Sequence, residues 1–113
     1  MPRDYRLYLD DILESCRKIR QFTQDMSFQE FERDVKTQDA VIRNFEVIGE
    51  AANRLPEDVK SLYPDVEWAK IIGFRNILIH EYFGVKLETV WTAISEKIPI
   101  LEEETKSVLG EET

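Results

Sequence analysis

The residues best equipped for chemistry fall in one stretch, 75–83, which reads Arg-Asn-Ile-Leu-Ile-His-Glu-Tyr-Phe and holds the single histidine of the sequence. His80 stands five residues after Arg75 and two before Tyr82. Histidine is the side chain whose ordinary pKa lets it both take and give a proton near neutral pH. Arginine is a permanent cation whose planar fork matches the oxygens of a phosphate. Arg75, the amide of Asn76, His80 and the phenol of Tyr82 therefore form an inventory suited to cleaving a phosphodiester without a metal. The inventory alone does not establish that activity, because a histidine in an apolar helix supplies packing and hydrogen bonds as readily as proton transfer.

Spacing sharpens the question. At about 100° per residue, Asn76 and His80, four apart, are neighbours on one helix face, so the amide could fix the imidazole in one tautomer or touch substrate. Arg75 and Tyr82, seven apart, share a face at roughly 10 Å. Arg75 and His80, five apart, diverge by about 140° on a regular helix. Either the helix unwinds after Ile79, ahead of Gly84, or two chains join about a twofold axis and bring an Arg75 and a His80 from different subunits into one cleft. Such a cleft could bind and cleave a phosphodiester. His80 would act as general base or acid, Arg75 would offset the charge gathering on the phosphate, and Tyr82 could stack on a base or bond a phosphate oxygen.

The elements that must position these residues read as helices throughout, with no sustained period-two alternation. From Asp4 to about Thr23, Tyr5, Leu9, Ile12, Cys16, Ile19 and Phe22 recur at spacings of three and four and make one apolar stripe. Ser27 with Glu30 three residues later predicts a capping box and a short second helix through about Arg33. A third helix from about Val35 to Arg54 is apolar over a broad angle, as a central helix buried from two sides would be. Pro56 marks a restart, with acidic residues in the first turn of a short helix to Leu62. The motif helix runs from about Val66 to Tyr82 and is broken by Gly84. A last helix from Leu87 to about Leu109 is kinked or locally broken at Pro99. The expectation is an all-α fold, an antiparallel bundle of four main helices with one or two short accessory ones.

At 113 residues, 42% of them hydrophobic, the chain reads as one domain spanning 1–113. Cys16 is the lone cysteine and lies in an apolar stripe, which predicts packing and excludes an internal disulfide. One histidine and one cysteine give no recognisable metal-ligand spacing. The charged opening and the absence of a long apolar run predict a cytoplasmic protein with no membrane span. The net charge of −8 argues against an ordinary nucleic-acid binder. That charge is uneven: residues 1–20 hold five basic and four acidic side chains, whereas the tail, 102–113, holds five acidic and one basic. Glu102, Glu103 and Glu104 are expected on the solvated outer face of the last helix. Glu46 and Glu50, four apart on the third helix, would either line the cleft or serve the core, with a core role favoured. Gly49 is expected to permit close helix packing.

The string Arg75-Asn76-x-x-x-His80-x-Tyr82 resembles the Arg-x4-His-x-Tyr signature of the HEPN superfamily, specifically the HepT-like toxins encoded beside a minimal nucleotidyltransferase antitoxin. The stretch from Asp39 to Leu55, with Glu46, Gly49 and Glu50 inside it, resembles their long central helix. Trp68 heads the motif helix in the same way, and the likeness covers nearly the whole chain. The resemblance implies a homodimer with a ribonuclease site at its interface, in which Arg75 and His80 are catalytic and an RNA 2′-hydroxyl attacks the adjacent phosphate; with that hydroxyl as nucleophile, no metal or cofactor is needed. It also implies a type VII-like toxin–antitoxin pair whose nucleotidyltransferase adds adenylate groups to Tyr82, placing bulk and negative charge in an anion-binding cleft. Two other readings stay open: a catalytically silent module that holds a nucleotidyltransferase or RNA, and a structural bundle in which Arg75 and His80 only cap helices.

Overall fold

Asp4 opens the first helix by accepting a hydrogen bond from the Arg6 backbone N–H at 3.0 Å, and α1 then runs Tyr5–Phe22. The computed structural model describes residues 4–80 and 84–112, with side chains as far as Gly110. Leu9, Ile12, Cys16 and Ile19, spaced by three and four, are fully buried along one face of α1. The expected capping box is present at α2, Phe28–Arg33: the Glu30 N–H donates to Ser27 Oγ at 3.1 Å and the Ser27 N–H donates to Glu30 Oε1 at 3.0 Å. Phe31, fully buried, anchors this short helix against the Trp91 ring at 5.2 Å between centroids.

Asp34 ends α2 and caps α3, Val35–Arg54, taking hydrogen bonds from the Thr37 N–H at 3.0 Å and the Thr37 hydroxyl at 2.7 Å. α3 packs on α1 at one side. At the other it packs on α5, Trp68–His80, where Phe45 and Phe74 meet edge-on at 5.2 Å. Between them α4 occupies Glu57–Ser61, with Pro56 at its cap and two carboxylates in its first turn. Trp68 is held at the head of α5 by a hydrogen bond from its ring N–H to the Tyr63 carbonyl at 3.1 Å.

The last helical run is divided. α6 spans Leu87–Thr92, a π-helical turn spans Ala93–Lys97, and α7 spans Ile98–Glu112. Pro99 has no N–H for the helical ladder, and its ring would crowd the carbonyl four residues back. The wider turn just ahead of it, in which the Ile98 N–H reaches the Ala93 carbonyl, accommodates that defect. The break expected at Pro99 is thus a local change of helix pitch. The fold is all-helical, and no strand occurs among the described residues.

One expectation needs correcting. Glu102 is not on the solvated face: only 3% of it is exposed, and it pairs with Arg20 of α1 and, at 3.7 Å, with Lys106 one turn along. α7 packs on α1, and this ion pair ties the two. The helical phase of Leu101, Thr105 and Val108 carries Glu102 inward with them, and it is tolerated there because a cation reaches it from another helix. Beside it, burial pushes the Cys16 thiol up to about 12, with Glu102 adding to the rise and Arg20 opposing it.

Two measurements check this frame. Cys16 is expected to resist a thiol reagent at about pH 8 in the native protein and to react at once in denaturant, since only the thiolate attacks; rapid native labelling would mean that α1 does not bury this stripe. Ser27→Ala should cost about 1 kcal/mol in denaturant unfolding through loss of the cap.

Candidate active site

The site begins with a glycine. A Cβ placed on Gly49 would lie 2.1 Å from the Arg75 Cβ and 2.6 Å from its Cγ, so α5 crosses α3 at a distance that only glycine permits. The aliphatic stem of Arg75 lies directly over that bare backbone, as the close packing expected of Gly49 requires. Glu50, the next residue of α3, then meets the guanidinium: Arg75 Nη2 donates to Glu50 Oε2 at 2.8 Å. The other carboxylate oxygen, Glu50 Oε1, accepts from Arg54 Nε at 2.9 Å. One carboxylate therefore holds two arginines from two helices. This bonding to Glu50 is also the main cause of the upward shift of Arg54, with smaller contributions from Tyr8.

Asn76 completes the bracing of Arg75, accepting from Nη1 through Oδ1 at 2.9 Å. Spacing had offered His80 or substrate as the partner of that amide; the hydrogen bond observed is to the arginine. Arg75 Nε is buried with no hydrogen-bond partner. The Glu50–Arg75 pair is 39% and 26% exposed at its two side chains. An ion pair so accessible contributes about 1 kcal/mol or less to folding, so its consequence is to fix the arginine's geometry.

Above these residues opens a cleft of about 510 Å³. α1 lines it with Tyr8 and Asp11, α3 with Arg43, Glu46, Glu50 and Arg54, and α5 with Arg75 and Ile79. Glu46 and Glu50 thus line the cleft, where a core role had been favoured. Glu46 pairs loosely with Arg43 at 3.9 Å. Three arginines face three carboxylates, so the cleft is locally balanced in a chain of net charge −8. Arg43, Arg54, Tyr8 and Asp11 were not singled out from the sequence, although Arg43, Glu50 and Arg54, at spacings of seven and four, occupy one stripe of α3.

His80 lies in the last turn of α5 with its side chain exposed, and the cleft is lined by its neighbour Ile79. α5 is helical from Trp68 through His80, and the rest of the stretch ahead of Gly84, where unwinding was the alternative, lies outside the described residues. The two diverge as a regular helix dictates. Tyr82 lies outside the described residues. Among the described residues, no cluster of three or more His, Cys, Asp or Glu side chains is placed to hold a metal ion, and no helix is long and apolar enough to cross a membrane.

This all-helical chain braces an arginine in a polar cleft and carries a histidine five residues further along the same helix. Residues 12–108 match the family "Ribonuclease HepT-like", and the chain belongs to that family. It is 47% identical to a Methanocaldococcus jannaschii protein named as a putative RNase, over 99% of this chain and 97% of the relative. It is 44% identical to a probable ribonuclease HepT of Thermococcus cleftensis, over 89% and 92%. A protein of Caldanaerobacter subterraneus, also named as a putative RNase, is 38% identical over 95% and 96%. No solved structure matches the chain significantly.

Two glycine substitutions separate the role of the crossing from general helix effects. Gly49→Ala should destabilise the protein by about 1–3 kcal/mol, because the new methyl meets an atom fixed to the α5 backbone. Gly73→Ala, on α5 with nothing within 4 Å of the added carbon, should leave stability unchanged or raise it by up to about 1 kcal/mol. Equal effects from the two in thermal unfolding would contradict the close crossing.

Proposed function

We propose that this chain is a metal-independent endoribonuclease toxin of a type VII-like toxin–antitoxin system, acting as a homodimer and neutralised by a nucleotidyltransferase that adenylylates Tyr82. Four long helical members, α1, α3, α5 and the α6–α7 run, form the bundle in this reading. The observation that carries it is Arg75, braced by Glu50 and Asn76 at the edge of a cleft of about 510 Å³, on the same helix as His80 in a HepT-like chain. The RNA 2′-oxygen attacks phosphorus as His80 takes its proton, the bond to the 5′-oxygen breaks, and that oxygen leaves as a hydroxyl on taking a proton from a His80 imidazolium. The products are a 2′,3′-cyclic phosphate and a 5′-hydroxyl. Arg75 offsets the charge gathered on the phosphate in between.

The same helix supports the dimer. Ile77 and Ile79 of α5 are 45% and 41% exposed, Phe74 is half-buried, and α3 is the neighbour against which α5 mainly packs. A helix apolar on several faces is ordinarily covered on more than one. A second α5 about a twofold axis would cover the remainder and bring a His80 of one chain to an Arg75 of the other. Tyr82, two residues beyond His80, would carry the adenylate close to that cleft, where its negative charge repels RNA.

The test is cleavage of RNA in EDTA by wild type, Arg75→Ala and His80→Ala. Wild type should leave 2′,3′-cyclic ends, each variant should lose about 10²-fold or more, and a substrate with 2′-deoxy linkages should survive. Mixing the two dead variants and letting the chains exchange should restore about a quarter of the activity, since half the dimers are mixed and each rebuilds one of two composite sites. Binding of RNA with no cutting by wild type would instead favour the silent binding module, and a monomer at micromolar concentration would rule out the composite site.

A further inference from the structure

We propose that Arg54 and Arg75 act together as a two-guanidinium clamp on one RNA phosphate, and that Glu50, which bonds both, is the positioning residue that makes them converge. The proposal rests on the ribonuclease reading for its substrate class. It adds a second phosphate-binding arginine from a different helix and a role for a carboxylate in an anion site.

The two cations arrive independently. Arg54 follows Glu50 by one turn of α3 and reaches back to Oε1 at 2.9 Å. Arg75 comes from α5 over Gly49 and reaches Oε2 at 2.8 Å. Two guanidiniums repel when brought together, and a carboxylate between them removes that repulsion while leaving the trio with one net positive charge. Each guanidinium has five N–H donors. Arg54 gives one of them to Glu50 and also interacts with Tyr8, and Arg75 gives one to Glu50 and one to Asn76, which leaves further N–H groups on both. Both face the same cleft, which has room for a sugar–phosphate unit. Planar donors from two directions match the tetrahedral oxygens of a phosphodiester better than one arginine does. Because the whole chain carries −8, binding must come from such local convergence rather than from a broad basic surface.

The proposal is tested on the full chain with a 2′-O-methyl oligoribonucleotide, which offers the same phosphates and no attacking hydroxyl. Fluorescence anisotropy across a salt series reads affinity and the number of phosphates neutralised. Arg54→Ala should weaken binding about tenfold and flatten the salt slope by about 0.7, the value for one contact on a single strand. Arg54→Lys should keep the slope and recover part of the affinity, because it retains the charge without the fork. Circular dichroism melting of each variant guards against misfolding. On cleavable RNA, Glu50→Gln should lower kcat about tenfold with KM unchanged or reduced, since the change loosens the clamp while removing a negative charge from the cleft. A purely structural role for Glu50 would lower active concentration and thermal midpoint without that split.

Affinity and slope in Arg54→Ala equal to wild type would overturn the clamp while leaving the ribonuclease reading intact, provided wild type still cuts. A wild type that cuts nothing yet binds the methylated strand with an Arg54-dependent slope would keep the clamp and remove the ribonuclease reading. Faster cleavage by Glu50→Gln would overturn the positioning role and make Glu50 a competitor for the phosphate. No binding of the methylated strand by wild type would overturn the clamp outright.

Discussion

The molecule depends on how closely α5 can approach α3. A glycine in the middle of a helix weakens that helix by about 1 kcal/mol relative to alanine, so its presence at position 49 is locally unfavourable. What offsets it is contact: the Arg75 stem lies over the bare backbone where any Cβ would collide. The geometry that follows is tightly linked. With the stem placed there, the guanidinium reaches Glu50, the residue after the glycine, and Glu50 in turn holds Arg54. A single backbone constraint thus fixes the arginine, its carboxylate and the second arginine along one wall of the cleft.

Much of this was legible in the sequence, for reasons that can be named. The limits of α1, α2 and α3 were read from apolar spacing and, for α2, from the Ser27–Glu30 pair, local signals within a few residues of where they act; the caps by Asp4 and Asp34 came with the structure. Local signals fail where the deciding partner is distant. Glu102 looked solvated because it sits in a run of three acids, yet helical phase turns it inward and its cation, Arg20, comes from the other end of the chain. The π-helical turn before Pro99 was foreseen as a defect but not in kind, since the number of residues per turn depends on the packing of the helices it joins. At the site, Arg75 and His80 were marked by a motif, whereas Arg54 was not. Its significance arises only when α5 delivers Arg75 to the same carboxylate.

The charge distribution reconciles an acidic chain with the anion-binding cleft proposed for it. Surface charges interact over about 10 Å at moderate ionic strength, so the acidity of remote helix faces has limited reach into the cleft. Within it, three arginines balance three carboxylates, and the arginines are held by those carboxylates in defined positions. Such an arrangement favours an anion that fits over one that merely carries charge. A uniformly basic surface would bind any nucleic acid; in the proposed clamp, affinity would be gained only where phosphate geometry matches the donors.

The regularity of α5 carries the remaining argument. Because the helix holds its pitch through His80, arginine and histidine leave it in directions about 140° apart, and no rotation of side chains alone makes them neighbours. The face that turns toward α3 delivers the arginine. The histidine projects at the end of the helix, where apolar residues such as Ile77 and Ile79 are left uncovered. The same helical period that hides Arg75's stem against Gly49 therefore exposes His80, and both consequences come from one motif spacing. In the proposed dimer that exposure is what allows one chain to supply the proton-transfer group and the other the cation, so that neither chain holds a complete site when alone.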